Sequence, residues 1–396
     1  KNMSLPNVKV KIGNGNMGIV SSSDDGVAGL ILTGTAVSEK LELNKVYVLG
    51  AVSDLDKLGI KPETNPLAYK DVKAFYETSG DGSELHLLVV SEATTLTQIC
   101  ASDAGSPLKK LINSAAGRIR LVGVNRNTPK EYNPTIDRCL DADVITALTS
   151  AHNVAESFND NVSPFRLLLP AIGWTGETSE MFQPREGSYN RVCVVMSSDG
   201  KFGESSSYSA AIGQVLGRAA KIAVNQNIGR VRDGAIAAKG YLTDGKTPEE
   251  HFSVWNILDE AGYIFYRTFI GKNGYYLNGD ATATATSDDY CFLANGRVID
   301  KASIIANQTY VDEILETIEV VADSGEIPTP LCKSYEASIV RAVTTKMAGE
   351  ISSFSAYVNP KQNILSTRQM DVECNIVPKG VLRNINVSLS LKNPTV

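Results

Sequence analysis

The rhythm of apolar and polar positions changes along the chain. Near the start, Val8-Lys9-Val10-Lys11-Ile12 alternates strictly, which predicts a strand with one apolar face. A stretch rich in Gly, Asn and Ser follows as far as Gly26 and reads as a loop or linker. Between Gly26 and Ile270, short apolar runs alternate with amphipathic stretches of helical period. Runs at 27–32, 46–49, 85–90, 119–124, 165–169, 192–196 and 263–269 predict strands. Stretches at 67–77, 107–116, 142–158, 210–223 and 248–261 predict helices. Strand and helix in regular alternation are the signature of an α/β layer, a largely parallel sheet with flanking helices.

Beyond Tyr276 the pattern changes. Residues 277–289 (LNGDATATATSDD) are small and polar, a natural boundary. The spacing then predicts a long helix over 297–318, with Ile304, Val311, Leu315 and Ile318 on one face, ended by Gly325, Pro328 and Pro330. A second helix is predicted over 335–347, where Ile339, Val343 and Met347 recur every four residues. Strands follow at 354–358, 372–377 and 385–391. In the last, Ile385, Val387, Leu389 and Leu391 alternate with Asn386, Ser388, Ser390 and Lys392. This region reads as α+β. The expected division is an arm over 1–25, an α/β domain over 26–276, an α+β domain over 277–383 and a strand arm over 384–396.

Composition narrows the class of protein. Of 396 residues, 43% are hydrophobic and 21% charged, which fits a soluble globular chain and excludes disorder, collagen and coiled coil as its overall class. With 44 acidic against 38 basic side chains the net charge is −6, so a sequence-independent nucleic-acid binder is not expected. The six cysteines include no C-x-x-C, the nearest pair being Cys100 and Cys139, and there are three His. Zinc-ribbon and thioredoxin-type sites are therefore not expected, and the thiols read as reduced and mostly buried. The opening residues carry no long apolar core of the signal-peptide kind. The longest apolar runs, 167–172 and 192–196, fall short of the roughly 18 residues of a membrane span. The expectation is a protein that is soluble and intracellular when made, without direct membrane insertion.

Two motifs match by letter. Gly13-Asn14-Gly15-Asn16-Met17-Gly18 satisfies G-x-G-x-x-G, but the dinucleotide mechanism needs a helix N-terminus directly after it, and Ser21–Gly26 is helix-breaking. Gly240-Tyr241-Leu242-Thr243-Asp244-Gly245-Lys246-Thr247 satisfies G-x-x-x-x-G-K-[ST], with a helix expected from Pro248. Tyr241 and Leu242 are bulky where backbone N–H groups should wrap a phosphate, and Ile257-Leu258-Asp259 lies on the following helix where an end-of-strand Asp is wanted. The reading is a turn capping a helix, and a P-loop-type nucleotide-binding enzyme using Gly240 to Thr247 stays as the alternative. There is no G-x-S-x-G, and His86, His152 and His251 stand alone. Asp288-Asp289 reads as a solvated turn. No catalytic residue, cofactor or metal is expected.

The two most regular strands lie at the ends of the chain. Each has one apolar face and so needs one buried side and one paired edge. Either could complete its own sheet or be donated to a neighbour's, where main-chain hydrogen bonds give affinity and alternate side chains give register.

At this point the residues carry a likeness. Segments 266–276 (YRTFIGKNGYY), 287–290 (SDDY), 295–302 (NGRVIDKA), the helix at 335–347, 358–366 (VNPKQNILS), 376–378 (IVP) and the closing strand to Asn393-Pro394 resemble the C-terminal region of contractile tail sheath proteins. Those belong to phages and phage-tail-like contractile injection systems. Residues 8–20 and 26–32 are similar to the opening of the same family. The resemblance implies a homopolymer of stacked, hexameric rings around an inner tube, with baseplate and tail terminator proteins as further partners. It implies arms that exchange strands between subunits, through Val8, Val10 and Ile12 at one end and Ile385, Val387, Leu389 and Leu391 at the other. It places the C-terminal domain against the tube, with Lys333, Arg341 and Lys346 as contact candidates whose alternative is a solvated helix face. Contraction would follow from lattice repacking without nucleotide hydrolysis. Assembly would occur in the bacterial cytoplasm, with the product in a virion tail or a released particle. Arg297, Asp300 and Lys301 are expected to brace their own helix. Another self-assembling shell or surface-layer protein is the remaining alternative.

Overall fold

A computed structural model describes residues 24–392. Its centre is a seven-stranded sheet. The strands are β1 (Ala28–Gly34), β2 (Val46–Leu49), β3 (Leu85–Ser91), β4 (Leu121–Asn125), β5 (Arg166–Pro170), β6 (Val192–Val195) and β7 (Tyr263–Ile264). Their order is β7-β6-β5-β4-β1-β3-β2. All neighbours are parallel except β2, which runs antiparallel to β3 at the edge. Both faces are covered, which is why these strands read as unbroken apolar runs. Along β1, Ile31 points to one core with Leu88, Val90 and Val122, while Leu30 and Leu32 point to the other with Leu87 and Val89.

Helices α1 (Pro66–Ser79) and α2 (Pro107–Ser114) open with proline, where the missing N–H costs nothing. Together with α3 (Ala142–Asn159) and α4 (Ile212–Lys221) they cover the sheet, α2 and α3 on one face and α1 and α4 on the other. The α1–α4 contact is close because two glycines permit it. A Cβ on Gly213 would stand 2.1 Å from the Asp71 carbonyl, and one on Gly217 would stand 2.4 Å from that of Phe75. The predicted helix over 248–261 is two elements, a 3₁₀ turn Pro248–Val254 and the short helix α5 (Trp255–Ala261).

The C-terminal part holds α6 (Leu293–Tyr310), α7 (Thr329–Lys346) and a hairpin of β8 (Ile351–Val358) and β9 (Val372–Pro378). Val298, Ala302 and Ile305 of α6 pack on Ile339 and Val343 of α7 and on Met347. The helix predicted over 297–318 stops at Tyr310. Beyond it Leu315 and Ile318 lie in irregular chain, where the β-branched run Thr317-Ile318-Glu319-Val320-Val321 favours no helix and finds no face to bury. The second helix begins earlier than predicted, at Thr329, because Pro330 sits in its first turn and starts it rather than ending the previous unit.

A buried charge cluster joins the two parts. Arg166 on β5, 1% exposed, grips Asp300 on α6 through Nε at 2.7 Å and Nη2 at 2.9 Å. The same Nη2 donates to the Gly296 carbonyl at 3.0 Å, and Arg191 donates to Asp300 at 3.1 Å. Gly296 is required there, because a Cβ would fall 2.4 Å from the guanidinium carbon. Next to it, Lys301 bridges Asp25 at 2.6 Å and Glu350 at 2.8 Å. Arg297 donates to the Ile222 carbonyl at 3.3 Å, and its burial lowers its pKa to about 10. The expectation that these three residues brace their own helix is therefore corrected. Their shared face turns inward onto the α/β layer, and each finds its partner on another element.

The closing alternation at 385–391 forms no strand within the chain. Residues 379–392 run without regular structure. Val8, Val10, Ile12 and the Gly13–Gly18 motif lie outside the described residues.

Asp300→Ala should leave the Arg166 guanidinium buried without its carboxylate and cost about 3–5 kcal/mol, read as a fall in the urea unfolding midpoint. The paired change Arg166→Met with Asp300→Leu should recover most of that loss.

Candidate assembly surfaces

At the strand ends of this fold, several polar groups are engaged by the protein's own side chains and backbone. In an open parallel sheet the favoured crevice lies outside the carboxyl ends of the strands where their order reverses. Here that point lies between β1 and β4. The Asn125 side chain at the end of β4 donates to Asp71 and to the Ala210 carbonyl, both at 2.7 Å. Asp71 accepts the Gly213 N–H at 3.0 Å, and Asn127 N–H donates to the Thr33 hydroxyl at 2.8 Å. The segment after β6 folds over this end. Its Asp199 meets Lys70 at 2.8 Å, with Asp71 on the other side of the ammonium at 3.0 Å. Burial opposes the Lys70 charge, but the two carboxylates hold its pKa above the ordinary lysine value.

The Gly240–Thr247 motif is likewise occupied. Tyr241–Leu242 is a strand paired with Ser197–Gly200, and Gly245 turns the chain at φ 91°. Five N–H groups that could meet a phosphate are engaged. Leu242 donates to the Lys246 carbonyl, Thr243 to Met196 and Gly245 to Leu242. Lys246 N–H goes to Asp244, and Thr247 N–H goes to Glu250 in a capping box. The histidines are held in local pairs or stacks. His86 faces Glu84 at 2.8 Å, His251 faces Asp244 at 2.7 Å beside Trp174, and His152 lies against Tyr189. Asp288 accepts from Asn190 and from the Tyr290 N–H, so it is engaged and only Asp289 is solvated, a partial correction of the sequence reading.

Other surfaces expose apolar side chains and open strand edges. Ile385, Val387, Leu389 and Leu391 are 73%, 73%, 92% and 105% exposed. Their period of two puts all four on one side when the segment is extended. Burying four such side chains is worth on the order of 6–12 kcal/mol before the costs of ordering. The root of the segment is fixed. Arg383 grips Asp259 on α5 at 3.0 and 3.1 Å, and its guanidinium lies 5.1 Å from the Phe292 ring centre. The β8–β9 hairpin pairs only with itself among the described residues, which leaves both of its edges open.

On α7, Lys333 and Arg341 share the exposed face. Lys333 bonds Glu336 at 2.6 Å, and this bond holds its pKa above the ordinary value. Arg341 makes no ion pair among the described residues. Lys346 turns aside to Gln308 on α6 at 2.8 Å. The fold thus brings two of the three basic candidates together. Sequence reasoning missed Arg383, whose partner lies 124 residues away, and it gave no weight to 311–326, which carries six acidic residues and no basic one. That second signal was visible as a charge run.

Residues 5–281 match the family described as DUF2586, N-terminal domain, and residues 289–396 match DUF2586, C-terminal domain. No curated protein matches the chain. Among solved structures, a chain of the anti-feeding prophage helical sheath in its contracted state is similar at 15% identity, with a TM-score of 0.62 over 98% of this chain and 99% of that one. A chain of the anti-feeding prophage baseplate gives 15% and 0.61 over the same shares. The sheath complex of an extracellular contractile injection system, PVC, also in its contracted state, gives 12% and 0.55 over 98% of each chain. These likenesses establish a common fold over nearly the whole length, and the chain belongs to the DUF2586 family.

Proposed function

We propose that this chain is a structural subunit of a contractile tail sheath. The carrying observation is the C-terminal arm. It has four alternating apolar side chains in water and a fixed root, on a chain that follows the fold of sheath-complex subunits from end to end. Residues 385–391 would add as a strand to the open β8–β9 hairpin of a neighbour, their apolar face covered there. Val8, Val10 and Ile12 would do the same at the other end. Donor and acceptor are different surfaces, so the contact is heterologous and propagates as rings or helices. In this reading 1–25 and 384–396 are arms, 26–276 faces outward and 277–383 faces an inner tube, in stacked hexameric rings that also meet baseplate and terminator proteins. Assembly takes place in the bacterial cytoplasm, and the subunit ends in a tail or a released particle.

Lys333, Arg341 and Lys346 would touch the tube. Exposed ion pairs contribute only about 0–1 kcal/mol each. That weakness suits contacts that must all release when the lattice shortens, whereas the arms stay engaged. The energy of contraction comes from subunits repacking between two lattices. A nucleotide has no part in this reading, since five N–H groups of the motif that could bind one are engaged within the protein.

Deleting residues 385–396 should leave the thermal unfolding midpoint unchanged and abolish sedimenting tubes. Tubes from the truncated chain would refute strand donation. Lys333→Ala and Arg341→Ala should each weaken binding to isolated inner tube by roughly twofold to fivefold in a co-sedimentation assay, with tube-free polymerisation unaltered. Lys246→Ala should polymerise as the parent does with or without ATP, and isothermal calorimetry should detect no ATP binding by either protein.

A further inference from the structure

Two surfaces carry opposite charge, each with apolar side chains among the charged ones. The first is a groove of 790 Å³ beside the root of the C-terminal arm, lined by α5, the segment 225–232 and residues 379–385. Its walls include Trp255, Phe269 and Leu277. Arg232, Arg267 and Lys379 line it and have no carboxylate partner among the described residues. Arg267 stacks 4.3 Å from the Phe269 ring centre and 5.5 Å from that of Trp255, with its Nε buried and unbonded. Asp259, the acid in this lining, is already held by Arg383. The groove is therefore aromatic and cationic.

The second surface is the segment 311–326 between α6 and α7. Asp312, Glu316, Glu319 and Asp323 are exposed there without a basic partner among the described residues. Between them Leu315 is 98% exposed at φ 70°, a backbone conformation a branched side chain rarely adopts, and Ile314 beside it is also in water. The segment takes no part in lining the groove of its own chain.

We infer that segment 311–326 of one copy docks into the 225–232/α5 groove of the next, with Leu315 against the aromatic wall and Asp312, Glu316 and Glu319 facing Arg232, Arg267 and Lys379. The inference rests on the polymer proposed above and names a contact in it beyond strand donation, beside the root of the C-terminal arm. The basic N-terminal residues Lys1, Lys9 and Lys11 carry the wrong charge for this groove, which leaves a second copy's acidic segment as the matching occupant on the chain. A groove of this size is too small to hold two subunits alone. With the arms engaged it acts at high effective concentration, so a weak contact suffices to fix orientation. Its charges are exposed, so it weakens as salt rises.

The test uses two full-length variants, Glu316→Lys with Glu319→Lys, and Arg232→Glu with Lys379→Glu, in about 0.15 M salt. Each alone should keep its circular-dichroism melt and lose sedimenting polymer. An equimolar mixture should recover polymer, because each variant's reversed surface then meets the other's. Leu315→Gly, compatible with the positive φ, should lower polymer yield without lowering the melt. Either reversal polymerising like the parent, or a mixture that fails to recover, overturns the contact. Normal polymer from both reversals, beside loss of polymer on deleting 385–396, would overturn this contact and leave strand donation standing.

Discussion

The clamp of Arg166 and Arg191 on Asp300 is the interaction on which the rest of the molecule depends. One carboxylate on α6 receives two guanidinium groups, from β5 and from the residue before β6, all three side chains buried. Burying such charges is costly, and only near-ideal geometry offsets it. The geometry comes from a bidentate fork, a glycine that lets the helix approach, and a carbonyl that takes a further N–H. The return is a fixed angle between the α/β layer and the helix pair. Everything beyond α6, including α7, the hairpin and its open edges, inherits its position from that angle. A subunit of the proposed lattice would need this, because an error at one joint multiplies along a helical array.

The elements of the sheet were legible because burial on both faces writes continuous apolar runs into the sequence, and turn residues punctuate them. The four alternating residues from Ile385 were equally plain. What they pair with was not, since a lone strand announces a need for an edge without naming whose. Failures cluster where helical spacing was trusted without burial. Leu315 and Ile318 fit the period of α6 but lie in open chain. Arg297, Asp300 and Lys301 fit neighbouring-turn pairing, and that same spacing puts them on one inward face. Period fixes which residues share a face and is silent about what the face meets. Of the basic candidates on α7, Lys333 and Arg341 do share a surface, and Lys346 does not, because a partner on another helix turns it.

The polar network at the end of β4 bears on what the fold has been used for. Parallel sheets of this kind offer a ready crevice at the strand-order reversal, and here Asn125, Asp71, Lys70 and Asp199 close it with mutual bonds. Polar groups that could have met a ligand are spent on holding a loop down. On the proposed reading, the contacts of the chain lie instead at its margins, on an arm, an edge and a charged segment.

Lys301 gives this arrangement a mechanical meaning. Asp25 lies three residues before β1, and Glu350 is the residue before β8. A single ammonium holds both. Lys301 therefore ties the residues that lead into β1 to the residue that leads into β8 across α6, cross-linking the start of the sheet to the foot of the hairpin through one side chain. Its loss would leave two carboxylates facing each other at that junction.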